Sequence, residues 1–88
     1  MKFELDEDKN LANIEKHGVS FEEAAQAFLD PKRKIRLNKK HSALEMRYYC
    51  LGRVSDRVLT VRFIIQGGRV RIIGAGYWRE GRTIYEQD

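Results

Sequence analysis

The chain has 88 residues, 42 % hydrophobic and 34 % charged, with a net charge of +4. That length allows one small core under a heavily charged surface, and the excess of cations permits polyanion binding without requiring it. The single cysteine excludes an internal disulfide and suits a reducing cytoplasm. No stretch approaches the roughly 18 consecutive apolar residues of a membrane span, and the acidic, polar start is unlike a secretory signal.

Lys2-Phe3-Glu4-Leu5 alternates and reads as a short strand. Asp6 then fits a helix N-cap, with Glu7 and Asp8 in the first turn, where the helix dipole favours anions. Leu11 and Ile14 supply a narrow apolar stripe. Lys16 and His17 fall in the last turn, and Gly18 suits a left-handed cap. Ser20-Phe-Glu-Glu23 reads as a capping box opening a second helix, with Val19 as its staple. Phe21, Ala24, Ala25, Ala27, Phe28 and Leu29 are its expected packing side. Asp30-Pro31 ends it, because the residue before proline avoids the helical region. Lys32 to Asn38 is polar and charged, with Ile35 and Leu37 alternating within it. This is the pattern of an edge strand protected by cations.

Asn38 to Ser42 reads as a loop, and a three-strand meander follows. Glu45 to Gly52 alternates. Ser55-Asp56 is the first two-residue turn and sets Cys50 opposite Val61 and Tyr48 opposite Phe63. Val58 to Ile65 and Val70 to Ala75 flank Gly67-Gly68, a strong hairpin signal. With those glycines as the turn, Ile65 faces Val70, Phe63 faces Ile72 and Arg62 faces Ile73. Alternation then gives two faces. Met46, Tyr48, Cys50, Leu59, Val61, Phe63, Ile65, Val70 and Ile72 make an apolar one. Glu45, Arg47, Tyr49, Leu51, Thr60, Arg62, Ile64, Arg71 and Ile73 share the other. A one-residue slip would bury Glu45 and Arg47, which argues for this register. After Ala75 the pattern breaks. Gly76 and Gly81 count against a regular helix there, and a turn with a short helix from about Gly81 is expected. Strand, two helices, then a run of strands argue for an α+β fold, with two N-terminal helices packed on one face of a mainly antiparallel sheet.

Several blocks resemble the BrnT family. They are Phe3-x-x-Asp6-x-x-Lys9, Asn13-x-x-Lys16-His17-Gly18-Val19-Ser20-Phe21-Glu22-Glu23-Ala24 and Phe28-x-Asp30-Pro31. His41-Ser42-x-x-Glu45-x-Arg47, Gly52-Arg53, Arg71-Ile72-Ile73, Arg82 and Tyr85-Glu86 continue the likeness nearly end to end. The resemblance implies one toxin domain over residues 1–88, similar in fold to RelE-type ribonucleases. It also implies the toxin half of a type II toxin–antitoxin pair in the cytoplasm. Such a toxin cleaves RNA without a metal or other cofactor and inhibits translation. Its partner would be a BrnA-like ribbon-helix-helix antitoxin, and DNA would be met only through that antitoxin. Two departures stand out. Leu5 occupies the place of a common tryptophan, and Gly74-Ala75-Gly76-Tyr77-Trp78-Arg79 stands where the family carries Ser-Ala-Arg and an arginine run. The alternative reading is a binding module that acts with an antitoxin as an operon repressor.

Cleavage by attack of the RNA 2′-hydroxyl needs a base, an acid and cations to hold charge growing on phosphorus. Arg47, Arg62 and Arg71 fall on one face and are the candidate phosphate ligands, since a guanidinium binds phosphate through a planar fork. The bland reading of each is a solvated surface arginine. His41 is an acid or base candidate, or a loop histidine bonded to backbone. Glu45 is either a base or the ion-pair partner of a neighbouring arginine. Tyr49, Tyr77, Arg79 and Arg82 combine aromatic faces with cations and are candidate RNA contacts. Tyr77 fits a core role equally, and Trp78 fits the core better. His17 reads as a helix-terminal cation and Cys50 as core. Two histidines and one cysteine offer no metal-ligand spacing.

Overall fold

The computed structural model describes residues 1–39 and 45–87. The elements in chain order are β1 (Phe3–Glu4), α1 (Glu7–His17), α2 (Phe21–Ala25) with a 3-10 turn (Gln26–Leu29), β2 (Lys34–Leu37), β3 (Tyr48–Val54), β4 (Arg57–Gln66), β5 (Arg69–Gly76) and α3 (Arg79–Glu86). The strands form one sheet in the order β1-β5-β4-β3-β2. Among the described residues only the β1–β5 pairing is parallel. This is an α+β fold.

Local chemistry sets the helix ends. The Asp6 carboxylate accepts from the Lys9 N–H at 3.0 Å, and Gly18 closes α1 at φ 69°. The Ser20 hydroxyl accepts from the Glu23 N–H at 3.0 Å. The Glu23 side chain accepts instead from the Tyr77 hydroxyl, which ties α2 to the chain after β5. Both two-residue turns form where expected. Gly67 and Gly68 have φ of 59° and 76°, the left-handed pair that a tight hairpin of this hand requires.

The register of β3 on β4 is the expected one, with Tyr48 opposite Phe63 and Cys50 opposite Val61. In the second hairpin Ile65 faces Val70 and Phe63 faces Ile72, but Arg62 faces Gly74 and not Ile73. Ile73 is an extra residue in a β-bulge, which reverses the alternation beyond it. Ala75 therefore turns into the core, while Gly74 lies against Arg62 and Gly76 against Trp78.

The inner face of the sheet carries Cys50, Leu59, Val61, Phe63, Val70, Ile72 and Ala75, packed under Val19, Phe21, Ala24, Ala27 and Phe28. The 3-10 turn approaches β3 so closely that a Cβ at Gly52 would lie 2.2 Å from the Ala27 carbonyl oxygen. The expected apolar stripe of α1 is not what anchors it, since Leu11 is 56 % and Ile14 40 % exposed. Asn13 does so. It is buried, and its amide donates to the Val19 and Ala75 carbonyls at 2.9 Å each while its oxygen accepts from the Ala75 N–H at 3.2 Å. Leu29, Met46 and Ile65, expected in the core, are also exposed. Met46 and Ile65 lie at the end of the inner face, and Leu29 closes the 3-10 turn.

Helices cover both faces. The third, α3, packs on the outer face and begins at Arg79, before the glycine expected to oppose it. Gly81 is what allows this contact, because a Cβ there would fall 1.9 Å from the Thr60 hydroxyl. Leu51 and Thr60 are buried on that face. The far end of α3 is tied to the loop before β2 and to β2 itself. Tyr85 donates to Asp30 at 2.6 Å, and Lys34 donates to the carbonyls of Ile84, at 2.9 Å, and Gln87. A cation at the last carbonyls also complements the helix dipole.

Candidate nucleic-acid interface

Strand alternation alone carries Arg62 and Ile64 of β4 and Arg71 of β5 to the outer face, next to the segment entering β3. There Glu45, Arg47, Arg62, Ile64, Arg71 and Ile73 line one concavity, joined by Lys9 and Gln66. Ile64, only 7 % exposed, and Ile73 are its apolar component. Arginine stems can lie along such groups with their heads in water. Glu45 and Arg47 pair at 3.4 Å. Arg71 donates to Gln66 at 3.3 Å and stands 3.9 Å from Asp6. Arg62 has its guanidinium over the Gly74 backbone, where a Cβ would lie 2.4 Å from Nη2, and 5.4 Å from the Trp78 ring centre. The result is a cluster of three guanidiniums and one ammonium, with the carboxylates of Glu45 and Asp6 at its rim.

A second concavity adjoins it. Tyr49, Leu51, Trp78, Glu80 and Ile84 line it, and Arg62 is the wall shared with the first. A third lies beyond Trp78, toward the β3–β4 turn. It holds Arg53, Arg57, Arg79, Arg82 and Tyr77.

The sequence-derived candidates thus separate. Glu45, Arg47, Arg62 and Arg71 come together, and Tyr49 sits beside them as the cross-strand partner of Arg62. Arg79 and Arg82 lie in the third concavity, away from that cluster. Tyr77 is engaged elsewhere. Its ring packs on the core, the Arg57 guanidinium lies 3.8 Å above it, and its hydroxyl bonds Glu23. Burial first, then the Glu23 carboxylate, push that hydroxyl up to about 12. His41 lies outside the described residues. Cys50 is buried, and burial pushes its thiol up to about 12, which suits a core group and not a nucleophile. Trp78, expected in the core, instead lies half-buried over Gly76 on the outer face, edge-on to His17 at 5.2 Å. Among the described residues no three His, Cys, Asp or Glu side chains could hold a metal ion together. No helix among them is long and apolar enough to cross a membrane.

Two contributors escaped the sequence reading. Lys9 belongs to the Phe3-x-x-Asp6-x-x-Lys9 block, but no strand periodicity could bring a helix residue to the arginine face. Glu80 needed the path of α3.

The family model that matches the chain describes a ribonuclease toxin, BrnT, of a type II toxin–antitoxin system, and the match spans residues 5–81. The chain belongs to the BrnT family. No curated protein matches it. Membership makes the chain a ribonuclease toxin by family and implies an antitoxin partner.

Proposed function

We propose that this BrnT chain is a metal-independent endoribonuclease that acts in the cytoplasm, inhibits translation and is neutralised by a BrnA-like ribbon-helix-helix antitoxin. The observation that carries the catalytic reading is the convergence of Arg47, Arg62 and Arg71, with Lys9 and Glu45, on one concavity. In this reading Arg62 and Arg71 grip the scissile phosphate and hold the charge that builds in the transition state, a role that typically contributes about 10²–10³ in rate per donor. Glu45 orients Arg47 through their ion pair and assists proton transfer with His41. The 2′-hydroxyl gives up its proton and attacks phosphorus, the bond to the 5′-oxygen breaks, and that oxygen is protonated. The products are a 2′,3′-cyclic phosphate and a 5′-hydroxyl. Cations already at the site do the electrostatic work, which is why no metal is invoked. Arg79 and Arg82 extend the track for the RNA backbone, linked to the phosphate site through Trp78 and Arg62.

The antitoxin reading is supported by apolar side chains left exposed on and near the edge strand and at the end of β4: Ile35 and Leu37 on β2, Met46 before β3 and Ile65 on β4. Exposed apolar groups gathered like this mark interaction surfaces. DNA is met only through the antitoxin, as an operon repressor.

The test is incubation of purified protein with end-labelled single-stranded RNA in excess EDTA. Cleavage to cyclic-phosphate ends, lost on 2′-deoxy substitution at the cut site and in the Arg62→Ala variant, is expected. Expression alone should halt growth, and co-expression of the antitoxin should restore it. RNA that is bound but left uncut over a wide range of protein concentration would overturn catalysis and leave the binding-and-repression reading.

A further inference from the structure

The concavity between α3 and the outer face is separate from the arginine cluster, yet it shares Arg62 with it. Its volume is about 270 Å³, below the usual several hundred Å³ of sites for drug-sized molecules. It is not a packing fault. At Gly81 the helix meets Thr60 as closely as a glycine permits, and the open space lies beside that contact. Leu51 and Ile84 contribute apolar walls, and Tyr49 and Trp78 stand half-buried with ring surface to offer. Trp78 is held from several sides. A Cβ at Gly76 would lie 2.5 Å from its ring, His17 is edge-on to it, and the Arg62 guanidinium is near its face. The polar side chains at this slot are Arg62 and Glu80, with the Tyr49 phenol and the buried Thr60 hydroxyl beside them.

We propose that this slot is the subsite for one unpaired guanine base of the RNA, the nucleotide whose phosphate lies in the Arg47, Arg62 and Arg71 concavity. The inference rests on the phosphate reading of that neighbouring site. Aromatic walls take any base by stacking, so affinity follows from Tyr49 and Trp78. Selection follows from Glu80. A carboxylate is a pure acceptor with room for two donors. Guanine is the base whose Watson–Crick edge offers two adjacent N–H donors, at N1 and N2. Adenine and cytosine set an acceptor nitrogen beside their single amino group, and uracil flanks its one N–H with carbonyls. Each of these turns a lone pair toward the carboxylate. The shared Arg62 side chain is what makes base and phosphate neighbours.

Trp78 is the sole tryptophan of the chain, so its fluorescence reports directly on this slot. The experiment titrates the full chain with four uncleavable 2′-O-methyl dinucleotides that differ only in the first base, G, A, C or U. Quenching by the guanine compound at a concentration about tenfold or more below the others is expected, the scale of a good bidentate base contact. Glu80→Gln should bring guanine to the level of adenine, and Tyr49→Leu should weaken all four together. Equal binding of the four by the natural chain, or a guanine preference that survives Glu80→Gln, would overturn the subsite. The two readings fail separately. RNA cut normally with no base preference sinks the guanine slot alone, whereas guanine-selective quenching with RNA left uncut sinks the ribonuclease reading alone.

Discussion

The two faces of one sheet are built to opposite standards. The inner face is closed over its middle: α1, α2 and the 3-10 turn seal Cys50, Val61, Phe63 and Ile72, and the buried Asn13 side chain of α1 has three backbone partners. The outer face is half open. The C-terminal α3 covers Leu51 and Thr60, and arginines border the rest. Both standards are served by the same strands, because alternation sends every second side chain each way. A residue's job in this protein is therefore set by its parity along a strand before its chemistry. The difference teaches that charge is tolerated where it can be solvated, and that the working surface can change without disturbing the core.

The largest expected effect lies on the open face. Arg62→Ala should lower single-turnover RNA cleavage by about 10²–10³-fold while the midpoint of thermal unfolding moves little, since Arg62 is exposed. Arg62→Lys should recover only part of the loss, because an ammonium keeps the charge and gives up the planar fork. Circular dichroism beside cleavage rates checks this. A fall in stability large enough to explain the lost activity would erase the division between the faces.

The closed face should show the converse. Asn13→Ala strips partners from the Ala75 N–H and from the Val19 and Ala75 carbonyls. Leaving buried groups unpaired costs about 1–3 kcal/mol each at most, so a loss of roughly 3 kcal/mol is expected from urea unfolding. Gly52→Ala forces a methyl into the Ala27 carbonyl and should cost about 1–3 kcal/mol by overpacking. For both variants, cleavage per folded molecule at low temperature should match the natural chain. Slower cleavage with intact stability would mean that the core and the site are coupled.

Much of this division was legible in the sequence. Alternation and the turn residues Gly67-Gly68 and Ser55-Asp56 set the register of β3 on β4, that of the second hairpin as far as Phe63 opposite Ile72, and the shared side of Arg47, Arg62 and Arg71. The failures have physical causes. The bulge at Ile73 is an insertion against a partner strand, and nothing local in Ile72-Ile73-Gly74 demands it. Its effect is large, since it turns Gly74 and Gly76 outward as the floor on which Arg62 and Trp78 lie. On that floor lie an arginine from the neighbouring strand and an aromatic ring. Gly81 misled for a related reason. Low helix propensity predicts a helix that starts only at about Gly81, but close approach to Thr60 demands the glycine within the helix and overrides propensity. Lys9 came to the site around the sheet edge, which only tertiary structure reveals.

The smallest effect concerns the tether that holds α3 over the open face, and it can be read through pH. Partial burial raises the Asp30 carboxyl, but the Tyr85 hydroxyl, the backbone N–H groups of Arg53 and Lys32 and the Arg53 charge outweigh it, leaving the group below its ordinary value. The folded chain thus holds this proton less tightly than the unfolded chain. The stabilisation is fully present above the ordinary carboxylate value and is lost as pH falls through the lower, folded one. Tyr85→Phe removes the donor and narrows the gap between the two values. Stability near pH 7 should drop by about 1 kcal/mol or less, discounted because the pair is largely solvated. The difference between variant and natural chain should shrink as the pH is taken below the carboxylate range. Urea titrations at pH 7 and near pH 3 measure both quantities. A variant deficit that stayed constant down to low pH would assign the tether to packing of the ring against Arg53, 5.4 Å from its centre, and not to the carboxylate.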